Sequence, residues 1–415
     1  MSGEREQVQH YPVVVVGGGP AGAAAVLYAK RAGLSVLLID KAGFPRDKVC
    51  GDGIPMKTFN LLEELGFDEA ELFTGGYRIN RLNVYSPDNR VTRYGSLEAD
   101  ASTKSGCIPR QVFDNMLFVR AAGAADKVLS GHRLERLGDY ASGRRELELR
   151  DLASGATVTV TADLVLAADG AKSPIARQTG LLKPEERHNF DGLRMYYRSS
   201  TPFEPVIHLF YDRETLPGYV WVFPVGTHQA NVGIMINRKQ RALTGRNVRE
   251  VFFDVLKANP AVREVLKDAE PMEKVTGAPL PLGTLPGSRI ADGVILIGDA
   301  AAFINPITGG GIYFAILSAK YAVEFGRVAL ERGDTGRPAL GAYEKWWRKT
   351  ILPGFVYSDR LKKWFDSERF ARWFLNKSST NPVFANFFIS VYGRPLPRFT
   401  FLNPKFWAWV LFARN

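Results

Sequence analysis

Apolar positions along this chain follow two rhythms: short β-branched runs that end in glycine, and longer helical stretches between them. Tyr11 to Val16 is a β-branched run that stops at three glycines, the pattern of a buried parallel strand. Ala21 to Ala32 is rich in alanine and predicts a helix, with Gly33 placed to stop it. Ser35 to Asp40 is a second apolar strand, so a βαβ unit closes within about 30 residues. Further on, the pattern predicts a helix over Lys57 to Leu65, strands over Arg81 to Tyr85 and Arg90 to Tyr94, and a helix over Arg110 to Ala122. Leu164 to Ala168 reads as a parallel strand that returns to the first sheet. The stretch from Arg194 to Asn237 is strand-rich, with runs at Val206 to Tyr211, Tyr219 to Phe223 and Ala230 to Ile236. Helices are expected at Val248 to Lys257 and Pro260 to Lys267, a buried strand at Val294 to Ile297, and a long helix at Ile312 to Leu330.

Chemistry gathers where strands meet helices. Gly17-Gly18-Gly19-Pro20-Ala21-Gly22 satisfies G-x-G-x-x-G directly after a strand and before a helix. Such glycines let a pyrophosphate approach the backbone, and the helix start offers free N–H groups and a positive dipole end. Asp40 closes the second strand 23 residues after Gly17, where an acid accepts hydrogen bonds from an adenosine ribose. Far downstream, Gly298-Asp299-Ala300-Ala301 ends another strand and puts a carboxylate at the sheet edge, within reach of ribityl hydroxyls. Gly309-Gly310-Gly311, with Ile312 opening the next helix, offers backbone N–H groups suited to an anionic flavin edge. Asp169-Gly170 follows the strand at Leu164 to Ala168.

These three segments, in this order, resemble the FAD-binding halves of p-hydroxybenzoate-hydroxylase-like flavoproteins, which implies FAD and no separate NAD(P)H domain. The fold class expected is α/β: a single Rossmann-type FAD-binding domain interrupted by a β-rich (α+β) substrate domain, then a C-terminal helical region. The FAD domain is drawn at residues 1–76, 105–180 and 285–336, the substrate domain at 77–104 and 181–284, and the helical region at 337–415.

Two stretches are more specific. Phe44-Pro45-Arg46-Asp47-Lys48-Val49-Cys50-Gly51-Asp52-Gly53 resembles the Lys-x-Cys-Gly-(Gly/Asp)-Gly segment of the geranylgeranyl reductase family. Leu216-Pro217-Gly218-Tyr219-Val220-Trp221-Val222-Phe223-Pro224, followed by Asn231-Val232-Gly233, resembles that family's Tyr-x-Trp-x-Phe-Pro motif. The likeness covers about residues 12 to 330. One departure is Gly310, where the family commonly carries an acidic or polar residue. By the resemblance, Lys41, Lys48, Cys50, Gly51 and Arg110 join the cofactor set, with Arg110 reaching the FAD pyrophosphate. Cys50, Tyr219 and Trp221 are the candidate catalytic residues, with the Cys50 thiol, or a water held near it, as a proton source opposite a hydride, or with the thiol tuning the flavin. Tyr219, Trp221 and Phe223 alternate along a strand and share one face, one wall of an apolar slot for a prenyl chain. The resemblance therefore implies FAD-dependent saturation of carbon–carbon double bonds in a geranylgeranyl-type prenyl chain of a lipid, quinone or chlorophyll-like substrate, with NADPH or reduced ferredoxin as electron donor. A flavin monooxygenase, epoxidase or halogenase shares the FAD segments and stays open as the alternative. A halogenase would carry Trp-x-Trp-x-Ile-Pro, and here Tyr219 and Phe223 replace the first Trp and the Ile.

Composition narrows the setting. No apolar run reaches the roughly 18 residues a membrane span needs. Two cysteines, Cys50 and Cys107, exclude a disulfide framework, and the polar start from Met1 to His10 lacks a secretory pattern, so a cytoplasmic location is expected. The five histidines show no metal-ligand spacing and no G-x-S-x-G elbow occurs, so no metal site is expected. The net charge of +11 is concentrated from Arg337 onward, where 14 Lys/Arg face 4 Asp/Glu, beside six of the seven tryptophans. Mixed cations and rings suit an anionic membrane surface. Single-stranded nucleic acid would use the same residue types, as would a packed helical region with a solvated basic face. The reading carried forward is peripheral membrane contact without nucleic acid, through a helix over Leu361 to Phe374.

Overall fold

The computed structural model describes residues 8–95, 105–381 and 384–385. Four consecutive valines, Val13 to Val16, run at the centre of the first sheet and are almost wholly buried. Parallel neighbours flank them on both sides: Leu164 to Ala167 on one edge, Val36 to Ile39 on the other. A strand covered on both faces has no solvent side, so its apolar run is continuous rather than alternating. In spatial order the sheet runs Ile290–Ala291, Val294–Leu296, Thr157–Ala167, Gln9–Val16, Val36–Asp40 and Lys127–Ser130, the last five parallel. The helix Pro20–Arg31 starts on a proline and turns out through Gly33 at φ +75°. Its buried alanines, Ala23, Ala24, Ala25 and Ala29, let it approach the long helix Ile312–Glu331 closely.

One part of this sheet was not legible in the pattern. Thr157–Ala167 is longer than the strand expected there, and its first half pairs antiparallel with Arg144–Asp151, which pairs in turn with His132–Ala141. These strands read as alternating Arg and Glu, so they resemble solvated loop. Leu147 and Leu149 repeat at period two and are fully buried, as the pleat requires.

The second sheet is antiparallel through most of its width. Its order is Ala269–Pro271, Asn189–Ser199, Gln229–Asn237, Tyr219–Gly226, Val206–Phe210, Arg81–Tyr85 and Val91–Gly95, with Thr276–Pro281 also on Asn189–Ser199. Alternation along Tyr219–Gly226 sorts its side chains. Val220 and Val222 pack outward with Phe252 of the helix Val248–Ala258. Tyr219 and Trp221 point the other way, into a separate apolar cluster that Phe223 also touches. A small third sheet, Gly53–Ile54, Gly106–Cys107 and Tyr77–Arg78, fastens the loop after Cys50 to the chain that enters the helix Arg110–Ala124.

The C-terminal region departs from the single helix expected over Leu361 to Phe374. Two helices cover it, Leu352–Phe365 and Glu368–Ser378, broken at Asp366 and Ser367. Ser367 prefers a cap to a helix interior, and its hydroxyl accepts from the Phe370 amide at 3.4 Å. Leu361, Phe365 and Phe374 turn inward to the second-sheet cluster. Lys362 is buried and paired with Asp359 at 2.7 Å, so it is no part of a basic face. Arg360, Lys363, Trp364, Arg369, Arg372 and Trp373 remain on the exposed side. Trp407 and Trp409 lie outside the described residues. Among the described residues, no helix is long and apolar enough to cross a membrane.

Candidate active site

A cavity of about 2290 Å³ opens between the first sheet, the second sheet and the helix Leu352–Phe365. Ordinary ligand sites take about 300–1,000 Å³, so this one has room for a dinucleotide and a second long molecule. At one end it is lined by Gly17, Gly19, Pro20, Ala21, Asp40 and Lys41. The middle is lined by Lys48, Cys50, Gly51, Arg110, Asp169, Asp299, and Gly309 to Ile312. The far end is apolar, between Leu209, Tyr219, Trp221, Phe223 and Met235 on the sheet and Tyr357, Leu361 and Trp364 on the helix.

The glycines divide by role. A Cβ on Gly19 would meet only the flexible end of Arg46 at 3.2 Å, so this position is open toward the cavity. Gly17, at φ +103°, would strike the Ala168 carbonyl at 2.3 Å, and Gly22 would strike the Gly17 carbonyl at 1.7 Å. Gly22 and Gly298 do not line the cavity. Gly22 lets the helix rest on the strand end, and Gly298 lets Ala21 and Ala315 approach. Asp40 is fixed at its strand end, accepting from the Gly18 amide at 2.5 Å and the Ala42 amide at 2.8 Å.

Charge in the middle of the cavity is arranged in pairs. Lys48 Nζ lies 2.6 Å from Asp299 Oδ2. Burial opposes ionisation of Asp299, yet the Lys48 ammonium overrides it and holds the carboxyl below its usual range. Arg110 grips Asp114 with two bonds, at 2.6 and 2.8 Å, and Arg46 reaches the same carboxylate at 3.1 Å. Burial pushes the Asp169 carboxyl up to about 6, against hydrogen bonds from Ser173 and the Ile175 amide. Its Oδ1 has no partner although it is buried. A buried orphan oxygen beside the first glycine-rich helix start, where Gly17 approaches the Asp169 backbone, fits FAD, whose hydroxyls and N–H groups would satisfy it. The donor and acceptor set present thus suits the cofactor: Gly19, Pro20, Arg46 and Asp169 would lie along its phosphates by the first glycine loop, and Asp299 and Gly309 to Ile312 would lie toward the flavin half.

The aromatic strand is tied to its neighbours by its polar edges. Tyr219 Oη donates to the Thr308 carbonyl at 2.6 Å, which couples the wall to the glycine loop. Trp221 Nε1 donates to Asn231 Oδ1 at 2.9 Å. Both side chains therefore offer ring faces, rather than these polar groups, to the slot. Trp221 sits opposite Gly233, where a Cβ would strike its indole at 2.2 Å. The Phe223 ring lies against Gly51 and Gly53, where added Cβ atoms would meet it at 3.0 and 3.3 Å. Small residues in both motifs thus exist so that the Cys50 loop and the aromatic wall can touch. Cys50 is half-buried at this junction and lines the cavity.

Residues with no assigned role in the sequence reading complete the site. Arg46 stacks on Phe44 at 4.7 Å and stands over the first glycine loop. Asp52, Tyr196 and Asn231 form a buried polar cluster behind Cys50. Asp52 and Asn231 lie inside the two quoted motifs, which was the available signal; Tyr196 had none. No group of three or more His, Cys, Asp or Glu among the described residues is placed to hold a metal ion.

This fold and this cavity define an FAD-dependent oxidoreductase built on one Rossmann-type domain. A family model described as FAD binding domain matches residues 10–345. A digeranylgeranylglycerophospholipid reductase 2 from Methanopyrus kandleri is 32% identical over 362 residues, 86% of each chain. The chain belongs to the FAD-binding domain family and, within it, to the geranylgeranyl reductases. Solved structures share the fold. A geranylgeranyl bacteriochlorophyll reductase-like protein from Thermoplasma acidophilum superposes with a TM-score of 0.78 at 24% identity, covering 90% of this chain and 92% of that one. The flavin-dependent halogenase CmlS gives 0.72 at 22%, covering 89% and 68%.

Proposed function

We propose that this protein uses FAD to saturate isolated double bonds in the prenyl chains of a glycerophospholipid. The observation that carries the reading is the continuity of the cavity, from glycine-rich loops past Cys50 into an apolar slot walled by Tyr219, Trp221 and Phe223. The name of the Methanopyrus relative supports a phospholipid substrate. Bound and reduced, FAD supplies the hydride, with NADPH or a reduced ferredoxin as the source of its electrons. Lys48, Arg110, Asp169 and Asp299 hold the cofactor, with Asp40 and Lys41 toward its adenosine half. Tyr219, Trp221 and Phe223 lay the alkene against it and keep water out. Cys50 gives its thiol proton to one alkene carbon as the hydride reaches the other, and the thiolate then recovers a proton from water. Two electrons and two hydrogens enter, and one carbon–carbon π bond is lost. Analysis of the product lipid by mass tests this reading, as set out at the end of the Discussion.

A substrate of this kind resides in a bilayer, and the exposed face of the last described helices suits one. Trp364 and Trp373 are 40% and 39% exposed, with Lys363, Arg369 and Arg372 beside them. Trp364 and Lys363 also line the cavity, so the proposed contact lies at its mouth. Each cation near an anionic surface contributes about 1 kcal/mol, screened over about 8 Å at physiological salt. The protein should therefore co-sediment with vesicles containing anionic lipid and be released as salt rises. Binding indifferent to lipid charge and salt, or no binding, would remove this contact from the account.

A further inference from the structure

Asp52 stands in a backbone conformation that a side chain rarely adopts, at φ +65°, and it is wholly buried. Glycine would take this left-handed turn freely, whereas aspartate takes it only where its surroundings compensate. Here the compensation is visible. One carboxylate oxygen accepts from Tyr196 Oη and Asn231 Nδ2, both at 2.7 Å. The other accepts from the Arg110 amide at 3.2 Å. The Asp52 carbonyl is held as well, by the Ile108 amide at 3.0 Å. Four groups from three separate parts of the chain thus hold one residue.

What the turn presents is a hydrogen-bond donor. The Asp52 backbone N–H faces Cys50 Sγ at 3.4 Å. The same Asn231 amide that holds the Asp52 carboxylate also donates to the Cys50 carbonyl, at 2.7 Å. Cys50 is therefore fixed at its main chain by Asn231 and at its sulfur by the amide of Asp52, with the Arg110 side chain as a second donor to the sulfur. Burial pushes the Asp52 carboxyl up to about 6 in spite of the hydrogen bonds from Tyr196 and Asn231.

We propose that Asp52 is a positioning residue: its carboxylate locks the left-handed turn whose N–H orients the Cys50 thiol toward the reacting carbon. The proposal rests on the reading of Cys50 as proton donor and goes beyond it by saying what aims the donor. Tyr196 and Asn231 are parts of the same lock, although neither lines the cavity.

The test uses the full-length, flavin-loaded protein with Asp52→Gly, and with Tyr196→Phe as a milder second variant. Glycine accepts the turn without strain, so the first variant keeps the fold while losing the lock. The first readout needs no substrate: the rate of Cys50 alkylation by iodoacetamide, mapped by peptide mass. It is taken on the high-pH plateau, where ionisation is complete and the rate reports only access to the sulfur. An unlocked turn should raise that rate about fivefold or more in Asp52→Gly and by less in Tyr196→Phe. The second readout is turnover of a glycerophospholipid bearing geranylgeranyl chains. Here kcat should fall about tenfold with KM and flavin content unchanged, since orientation in the transition state is lost and not binding. On a Cys50→Ala background, Asp52→Gly should add no further loss. An unchanged alkylation rate, or an equal loss of kcat with and without Cys50, would overturn the proposal. A normal rate for Cys50→Ala alone would overturn it through the catalytic reading of Cys50, and the alkylation arm would show that failure to be separate.

Discussion

Replacing Gly19 by valine is expected to yield a folded, soluble but colourless protein. The position is chosen because the fold tolerates it. Gly19 has φ −68°, an ordinary value for any residue, and an added Cβ meets only the far end of the Arg46 side chain. The neighbouring glycines give no such separation, since side chains at Gly17 or Gly22 would collide with backbone at 2.3 and 1.7 Å and damage the sheet itself. Valine at 19 would instead fill the space where a pyrophosphate approaches the helix start, so bound flavin should fall below about a tenth of the wild-type content. The measurement is the flavin absorbance per chain after purification, with circular dichroism as the check on folding. FAD, and not FMN, should be released from the wild type on denaturation. A yellow, fully loaded Gly19→Val protein would remove the pyrophosphate assignment.

The second large effect is expected at Cys50. Changing it to serine or alanine should leave FAD bound and the melting temperature nearly unchanged, because the side chain is half-buried at a cavity wall, at the margin of the core. Turnover should drop by a factor on the order of 10² or more, the usual loss when a positioned acid is removed. Serine is the more telling variant, since it keeps the size and the hydrogen bond but holds its proton far more tightly. Single-turnover oxidation of the reduced protein by substrate checks this directly. A normal rate in Cys50→Ala would reduce the thiol to packing.

Much of the frame could be read from local pattern. The βαβ unit and the long helix before Glu331 follow from β-branched runs, alanine content and glycine stops, all features of near neighbours in sequence. The aromatic wall was legible for the same reason, since Tyr219, Trp221 and Phe223 alternate within five residues. The hairpin over His132–Asp151 was hidden because its Arg and Glu positions outnumber the three buried leucines, Leu134, Leu147 and Leu149, that anchor it. The C-terminal helix was misread because apolar spacing alone does not show that Ser367 caps a new helix or that Lys362 turns inward. Long-range hydrogen bonds were least visible. Cys50 and Asp52 meet Asn231 across about 180 intervening positions, and nothing in either segment names the other. Gly233 and Gly51 gave the only trace of this meeting, as small residues where two motifs must touch.

The most direct measurement is of the double bonds of a lipid chain. The purified protein, reduced without oxygen, is given a glycerophospholipid with geranylgeranyl chains, and the product is followed by mass spectrometry. Saturation predicts successive gains of about two mass units per double bond, absent from the Gly19→Val protein. A lipid of unchanged mass, or one gaining about sixteen units when oxygen is admitted, would contradict the account and favour an oxygenase.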